Sequence, residues 1–357
     1  MAKIPLPALL KAMVDQDASD LHITVGTPPQ FRIQGKMVKV KVDALSSQDT
    51  KELCYSVLTD SQKTDFESHL ELDFSFGVKD VARFRGNVFY QKGAVGGVFR
   101  KIPIQIPSFD SLGLPAVIKE LVKRPNGLIL VTGPTGSGKT TTLAAILDIL
   151  NSTDPGHIMT VEDPIEFIHP HKMCVVNQRE VGTDTRTFGD ALKRILRQDP
   201  DFILVGELRD IETIEMALTM AETGHLVFGT LHTNSAVQSL HRIINVFPPH
   251  QQTQIRQLIA FVLQAVISQQ LIPKSSGGGR CMALEILIPN GAIRNLIRED
   301  KMHQVYSSMQ AGQNESGMMT MNQSLTRLVQ GGALNKSDAI DASMVPDELT
   351  KMLQAVK

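Results

Sequence analysis

The sequence predicts an α/β protein: a small N-terminal α/β domain, then a larger parallel-sheet domain carrying a C-terminal helical cap. Three observations predict it. From Ala116 onward short apolar runs alternate with helical patterns, which implies a parallel sheet with helices on both faces. Before residue 105 the runs instead alternate in polarity, as strands of a half-buried sheet do. Between them "PIQIPSFDSLGLP", Pro103 to Pro115, is rich in proline and serine and reads as a linker. A chain of 357 residues has room for two or three domains with cores of their own.

The elements follow in order. A helix is expected over Leu6–Val14, then strands in "LHITVG", "QFRIQG" and "MVKVKV". Helical patterns cover Ser47–Leu58 and Asp60–His69, and strands in "ELDFSFGV", "ARFRGNVFYQ" and "AVGGVFRKI" complete a domain over 1–105. The linker is set at 106–115 and the larger domain at 116–290. Its expected strands are Gly127–Thr132, His157–Val161, Phe202–Val205 and Leu226–Thr230. The uncharged stretch Gln257–Pro273 contains four glutamines and reads as a buried amphipathic helix, not a membrane span. From 291 to 357 the pattern is all-helical, in "AIRNLIRED", "KMHQVYSSM" and "TMNQSLTRLV".

Composition narrows the classes. A net charge of −1 gives no bulk electrostatic footprint for nucleic acid. With no Trp and three Tyr, a stacking channel for a translocated strand is not indicated either. Cys54, Cys174 and Cys281 lie far apart without a C-x-x-C pair, so neither a zinc ribbon nor a disulfide framework is expected. That usage suits a reducing cytoplasm. The opening "MAKIPLPALLKAMVDQDASD" lacks a sustained apolar core and a small-residue cleavage site, and predicts no signal peptide.

The chemistry starts at "LILVTGPTGSGKTTTLAAIL", Leu128 to Leu147. An apolar run buried on both faces gives way to glycines, and these to leucine and isoleucine at helical spacing from Lys139 to Leu150. Gly133, Gly138, Lys139 and Thr140 fill G-x-x-x-x-G-K-[ST]. Glycine lets consecutive N–H groups turn inward on a phosphate, and the helix start adds unpaired N–H groups and partial positive charge. The loop Gly133, Pro134, Thr135, Gly136, Ser137, Gly138, Lys139, Thr140 and Thr141 is therefore read as a nucleoside-triphosphate site. Lys139 reaches the β- and γ-phosphates, and the Thr140 hydroxyl holds Mg²⁺.

Three further stretches separate hydrolysis from other uses of such a loop. "DFILVGELRD" sets Glu207 just past a buried strand, at the edge where open α/β sheets bind ligands. A carboxylate there polarises water or holds Mg²⁺ through water; a salt bridge to Arg209 is its plainer use. "VEDPIEF" ends the neighbouring strand with Glu162, Asp163 and Glu166, a group costly to bury without a cation or donors. In "AETGHLVFGTLHTNSA" His225 opens a strand and His232 follows its end, so both are expected at the nucleotide edge, His232 as the γ-phosphate sensor.

Taken in this order, "GPTGSGKT", "VEDPIEF", "ILVGELRD" and "TGHLVFGTLHTNSA" resemble the secretion-superfamily ATPases, most closely the PilT family of type IV pilus retraction ATPases. The resemblance runs from "ASDLHIT" to the C-terminal helices, and "AIRNLIRE", Ala292 to Glu299, is similar to the C-terminal signature of retraction motors. It implies a PAS-like N-terminal domain, a RecA-like ATPase domain, ATP and Mg²⁺ as ligands, and a homohexameric ring at the cytoplasmic face of the inner membrane. Hydrolysis would drive pilus retraction and twitching motility, with an inner-membrane platform protein and an accessory retraction paralogue as partners. Glu207 matches the catalytic glutamate, Glu162, Asp163 and Glu166 the acidic box, and His225 and His232 the histidine box.

The resemblance also implies an arginine reaching a neighbouring subunit's nucleotide. Arg83, Arg85 and Arg100 are the candidates, and Arg194 and Arg197 the weaker ones. Pilus-extension and type II secretion ATPases carry a tetracysteine motif and a longer N-terminal region, neither of which appears here; they remain the alternative, ahead of a nucleic-acid translocase. A non-hydrolysing adaptor would lack Lys139 or Glu207. In "AIRNLIRED" Ile293, Leu296 and Ile297 form one apolar stripe, leaving Arg294, Asn295 and Arg298 expected on the surface as coupling residues.

Overall fold

A computed structural model describes residues 4–33, 35–79, 81–103, 105–311 and 317–355. The chain divides into two units, Met1–Gln105 with Glu166–Ile168, and Ile106–Ile165 with His169–Lys357.

In the first unit α1 (Leu6–Asp15) starts behind Pro5 and buries Leu6, Leu9, Leu10 and Met13, the stripe its 3.6-residue period dictates. α2 (Ser47–Tyr55) and α3 (Asp60–His69) each begin in a capping box, Ser46 with Asp49 and Thr59 with Gln62. Six antiparallel strands form one sheet in the order β3-β2-β1-β6-β5-β4. Their ranges are β1 Asp20–Ile23, β2 Gln30–Ile33, β3 Lys36–Lys39, β4 Glu71–Val78, β5 Ala82–Gln91 and β6 Ala94–Ile102. Alternation along β5 sends Ala82, Phe84 and Val88 into a core shared with Phe31, Phe66 and Phe99. Arg83 and Arg85 occupy the intervening positions.

The second unit is built on a seven-stranded sheet ordered β13-β12-β7-β11-β10-β8-β9. Its strands are β7 Gly127–Thr132, β8 His157–Glu162, β9 Val175–Glu180, β10 Phe202–Val205, β11 Leu226–Leu231, β12 Leu263–Pro273 and β13 Arg280–Leu287. All neighbours pair in parallel except β12 with β13. β7 and β11 are buried at every position, because helices cover both faces. One face carries α4 (Val117–Leu121) and α5 (Lys139–Thr153), through Ile118, Leu143, Ile146 and Leu150. The other carries α6 (Phe188–Ile195), α7 (Ile211–Glu222), α8 (Ala236–Asn245) and α9 (Pro249–Val262).

The C-terminal helices divide between two cores. α10 (Gly291–Arg298) and α11 (Val305–Ala311) put Ile293, Ile297, Val305 and Met309 into the core beneath α6–α9. The helices Met321–Gln330, Lys336–Ala342 and Pro346–Ala355 bury Leu325, Ala339 and Leu349 against Ile272, Cys281 and Ala283 of β12 and β13.

Two sequence expectations are corrected here. Gln257–Pro273 is not one helix: α9 stops at Val262 and the chain runs directly into β12, between β7 and β13. A seventeen-residue uncharged run suits a buried helix or a central strand equally, and periodicity alone does not separate them. The β-branched pair Val266-Ile267, walled in by strands on both sides, settles it as strand. Arg294 is not a surface residue. It folds onto the end of α9 and donates to the carbonyls of Ala260, Phe261 and Leu263. Burial, and then the nearby Arg124 and Arg298, hold its pKa below the usual arginine value.

Candidate active site

Four adjacent parallel strands, β7, β11, β10 and β8, end on one edge of the second unit's sheet, as the pairings Leu231 with Thr132 and Val205 with Val161 fix. The residues just past those ends are Gly133, His232, Gly206 with Glu207, and Glu162 itself. Chain connectivity alone thus gathers the sequence candidates at the carboxyl edge, where such sheets bind ligands. Backbone bonds lace neighbouring ends together: Gly206 N donates to Val161 O at 2.8 Å, Leu208 N to Thr230 O at 3.0 Å, and Gly133 N to Leu231 O at 3.3 Å.

The phosphate loop requires its glycines. Gly133 has φ +144°, and a Cβ there would collide with the Gln269 carbonyl oxygen. Gly138, at φ +89°, precedes the first residue of α5. The helix then opens at Lys139, and its first-turn N–H groups have no intrahelical acceptor. Lys139 Nζ donates to Gly133 O at 2.8 Å and Pro134 O at 3.2 Å, closing the loop on itself. Burial lowers the Lys139 pKa, against the opposing pull of the Glu207 carboxylate. Two buried polar atoms at this loop, Ser137 Oγ and Gln269 Oε1, have no hydrogen-bond partner among the described residues. Gln269 Nε2 meanwhile holds Ser137 O at 2.7 Å. First-turn N–H groups without intrahelical acceptors, a lysine, and unpaired buried polar atoms suit a phosphate.

Glu207 stands at the centre. Its Oε2 accepts from Arg209 Nη2 at 2.7 Å, and its Oε1 lies 3.3 Å from His232 Nε2. Partial burial works to raise its pKa, but the Arg209 hydrogen bond and the charges of His232 and Arg209 hold it below the ordinary carboxylate value. The salt bridge to Arg209 and a place at the ligand edge therefore coexist. Glu162, 7% exposed, accepts from Thr160 Oγ1 at 2.6 Å and Gln178 Nε2 at 3.2 Å. Asp163 is exposed and bears electrostatically on Arg209. Glu166 is exposed and is grouped with the first unit.

His225 does not share this edge. It precedes β11, whose six residues put seven steps, about 23 Å at 3.3 Å per residue, between it and His232. Its Nδ1 is instead 3.1 Å from the Met220 carbonyl. A residue that opens a strand and one that follows it lie at opposite edges of a sheet, and that geometry corrects the expected pairing.

Of the arginine candidates, Arg100 Nε donates to buried Asp20 at 2.7 Å. Arg85 is exposed and pairs across strands with Arg100, which in turn is in register with Asp20, and Asp20 with Arg32. Arg83 is partly buried on the same strand. In the second unit, Arg194 donates to Asp190 O at 2.9 Å, and Arg197 is exposed.

Sequence reasoning missed Arg280. Its Nη1 donates to Gly136 O at 3.3 Å, bringing the start of β13 onto the phosphate loop. The signal was present: Arg280 follows Gly277, Gly278 and Gly279, all at positive φ, in the turn of the β12–β13 hairpin.

The family model for "Type II/IV secretion system protein" matches residues 4–330. The chain is 50% identical over 339 residues to the "Type IV pilus retractation ATPase PilT" of Pseudomonas aeruginosa, covering 95% of this chain and 98% of that one. It is 48% identical over 329 residues to a "Twitching motility protein" of Neisseria gonorrhoeae, covering 92% and 87%. Among solved structures, the crystal structure of the pilus retraction motor PilT with bound ADP superposes with a TM-score of 0.92 at 52% identity, covering 98% of this chain and 100% of that one. That similarity extends over both the sheet-rich N-terminal part and the phosphate-loop part. The chain belongs to the type II/IV secretion system protein family and, within it, to the PilT family.

Proposed function

We propose that this chain is a P-loop ATPase motor that retracts type IV pili and so powers twitching motility. The observation that carries it is Glu207, held between Arg209 and His232 on the sheet edge that also bears the Lys139 loop. Gly133–Thr141 cradles the phosphates of ATP, with the Lys139 ammonium leaving its two loop carbonyls for the β- and γ-phosphate oxygens. Glu207, ionised at neutral pH, takes the proton of the water that attacks the γ-phosphorus as the bond to the β,γ-bridging oxygen breaks. His232 orients that carboxylate and senses the γ-phosphate, and Glu162 stands beside them as part of the acidic box.

Among the described residues no group of three or more His, Cys, Asp or Glu is arranged to hold a metal. A Mg²⁺ ion bound by the Thr140 hydroxyl, by phosphate oxygens and by water on Glu207 fits that donor set, since Mg²⁺ keeps several waters and binds through substrate phosphates. When bound it neutralises charge developing on the phosphates.

The working form is a homohexamer in the cytoplasm, docked at the inner-membrane face through a pilus platform protein and assisted by an accessory paralogue. Among the described residues no helix is long and apolar enough to cross a membrane. An arginine of the N-terminal domain (1–105), joined by the linker 106–115 to the ATPase domain, completes a neighbour's site. Arg298 on α10 passes the stroke to the pilus machine.

The test is ATP hydrolysis by the full chain. Turnover per chain rises steeply with concentration as rings assemble, and Lys139→Ala weakens nucleotide binding. Replacing Arg83, Arg85 and Arg100 singly identifies at least one whose loss lowers turnover by about 10³-fold or more, with assembly kept. Full activity in all three variants moves the role to Arg194 or Arg197. Concentration-independent turnover defeats the ring.

A further inference from the structure

Glu285 lies within β13, and only 2% of it is exposed. A carboxylate so deeply buried needs compensating donors. It has two, each the first residue of a helix. Its Oε1 accepts from Ala236 N of α8 at 2.7 Å, and its Oε2 from Met321 N of helix Met321–Gln330 at 3.4 Å. Helix N-termini carry partial positive charge, so one anion serves both. Burial nonetheless pushes the Glu285 pKa above the ordinary carboxylate value, with the two N–H groups pulling the other way. A glutamine of the same shape has one acceptor oxygen, and its amide would turn a donor toward one of the two N–H groups.

The segment that Glu285 anchors is the one that carries His232. Only Thr233, Asn234 and Ser235 separate His232 from Ala236. The same segment has a second anchor. Thr233 Oγ1 bonds Ser239 Oγ at 2.6 Å, Ser239 Oγ donates to Ser235 O at 2.7 Å and reaches Thr132 Oγ1 at 3.5 Å, and Thr132 Oγ1 bonds Ser268 Oγ at 2.7 Å. Thr132 is the residue before Gly133. Thr132, Ser268 and Glu285 are also consecutive partners in one cross-strand row of β7, β12 and β13. The His232 segment is thus pinned at one point to the base of the phosphate loop and at the other to Glu285.

We propose that Glu285 is a positioning residue for ATP hydrolysis: it fixes the start of α8 so that His232 stays on Glu207, and it ties that segment to the C-terminal helix Met321–Gln330. The inference rests on the reading of Glu207 and His232 given above. It makes Glu285 the point where the nucleotide edge and the C-terminal helices share one buried charge.

The experiment is a double-mutant cycle in the full chain between Glu285→Gln and His232→Ala, read as kcat and KM for ATP. Glu285→Gln alone is expected to lower kcat by roughly 3- to 30-fold with KM within about twofold, since the phosphate loop is untouched. In the His232→Ala background the same change is expected to lower kcat by less than about twofold, because its route to the chemistry is already cut. An equal loss in both backgrounds, an unchanged kcat, or a change confined to KM overturns the proposal and leaves the site reading standing. If His232→Ala itself leaves kcat at the parent value, the site reading falls and this inference with it. Should Glu285→Gln not fold, Glu285→Asp, which keeps the carboxylate but draws it back from Ala236 N and Met321 N, replaces it in the cycle under the same criteria.

Discussion

Glu207 and Arg294 are both partly buried charges with more than one partner, and they are held in opposite ways. At the sheet edge Glu207 is gripped by side chains, Arg209 and His232, that are themselves 64% and 48% exposed, so another anion can reach their tips while their backbones stay in place. At the joint between α9 and α10, Arg294 is gripped by three backbone carbonyls that close the end of α9. Those carbonyls cannot turn to a new partner unless the helix end unwinds. A charge whose counter-groups are mobile side chains can trade them for substrate. One whose counter-groups are backbone can only hold the fold. Two residues equally prominent in the sequence motifs therefore have different duties.

The largest expected effect breaks the first grip. Glu207→Gln keeps the shape and loses the proton acceptor, so hydrolysis should slow by about 10²- to 10³-fold while ATP still binds. Single-turnover hydrolysis beside equilibrium binding of ATP separates the two quantities. A variant that hydrolyses at the parent rate would make the Arg209 bridge the whole purpose of Glu207.

The second grip predicts a different readout. Arg294→Ala leaves carbonyls at the end of α9 without a donor, at a cost of about 1–3 kcal/mol in stability. The denaturant midpoint should fall, while kcat per folded chain stays within about twofold, because α10 lies off the nucleotide edge. Loss of kcat at unchanged stability would mean that the α9–α10 joint feels the chemistry directly.

A smaller effect appears in acid. Glu207's folded pKa lies below its ordinary value of 4.5, so its ion pairs stabilise the fold above that pH. The contribution fades as pH falls below 4.5 through the folded value. Glu207→Gln should therefore flatten the loss of stability on acidification in that window and leave the slope near neutrality unchanged, as chemical denaturation at a series of pH values will show.

How far the sequence carried each region follows from the same contrast. The nucleotide edge was legible because its parts are local: a glycine pattern, an apolar run, and a charged residue directly after it. β7, β10 and β11 keep their apolar runs continuous, and Glu207 and His232 follow them in the chain. The α9–α10 joint was not legible. Arg294 meets α9 more than thirty residues earlier in the chain, and nothing in "AIRNLIRED" marks which of its polar residues faces a helix end. The switch from α9 to β12 was hidden for a related reason, since a fully buried central strand shows no alternation. Glu285 and Arg280 escaped because their partners, two helix starts and the phosphate loop, lie far away in the chain and meet them only once the sheet is formed. His225 was misplaced by proximity in sequence, which says nothing about which edge of the sheet a residue reaches.

The smallest effect on catalysis is expected at Arg298, and it sharpens the comparison within α10 itself. Arg294 and Arg298 sit one turn apart, yet Arg298 is exposed, and its one hydrogen bond among the described residues is a 3.5 Å contact with Asn295 in the same helix. Ile293 and Ile297 bury the opposite side, so the helix stays seated without it. Phe261, at the end of α9 where its carbonyl meets Arg294, is an apolar side chain left 70% exposed. Arg298→Ala should shift stability by less than about 0.5 kcal/mol and leave ATP hydrolysis within about twofold, as surface substitutions do. If α10 passes the stroke to the pilus machine, pilus retraction in cells should still fail, because the lost group belongs to the contact and not to the chemistry. Normal retraction by the variant removes Arg298 from that contact. Retraction and hydrolysis lost together would instead show that the exposed side of α10 serves the ATP site, and that its two arginines are alike after all.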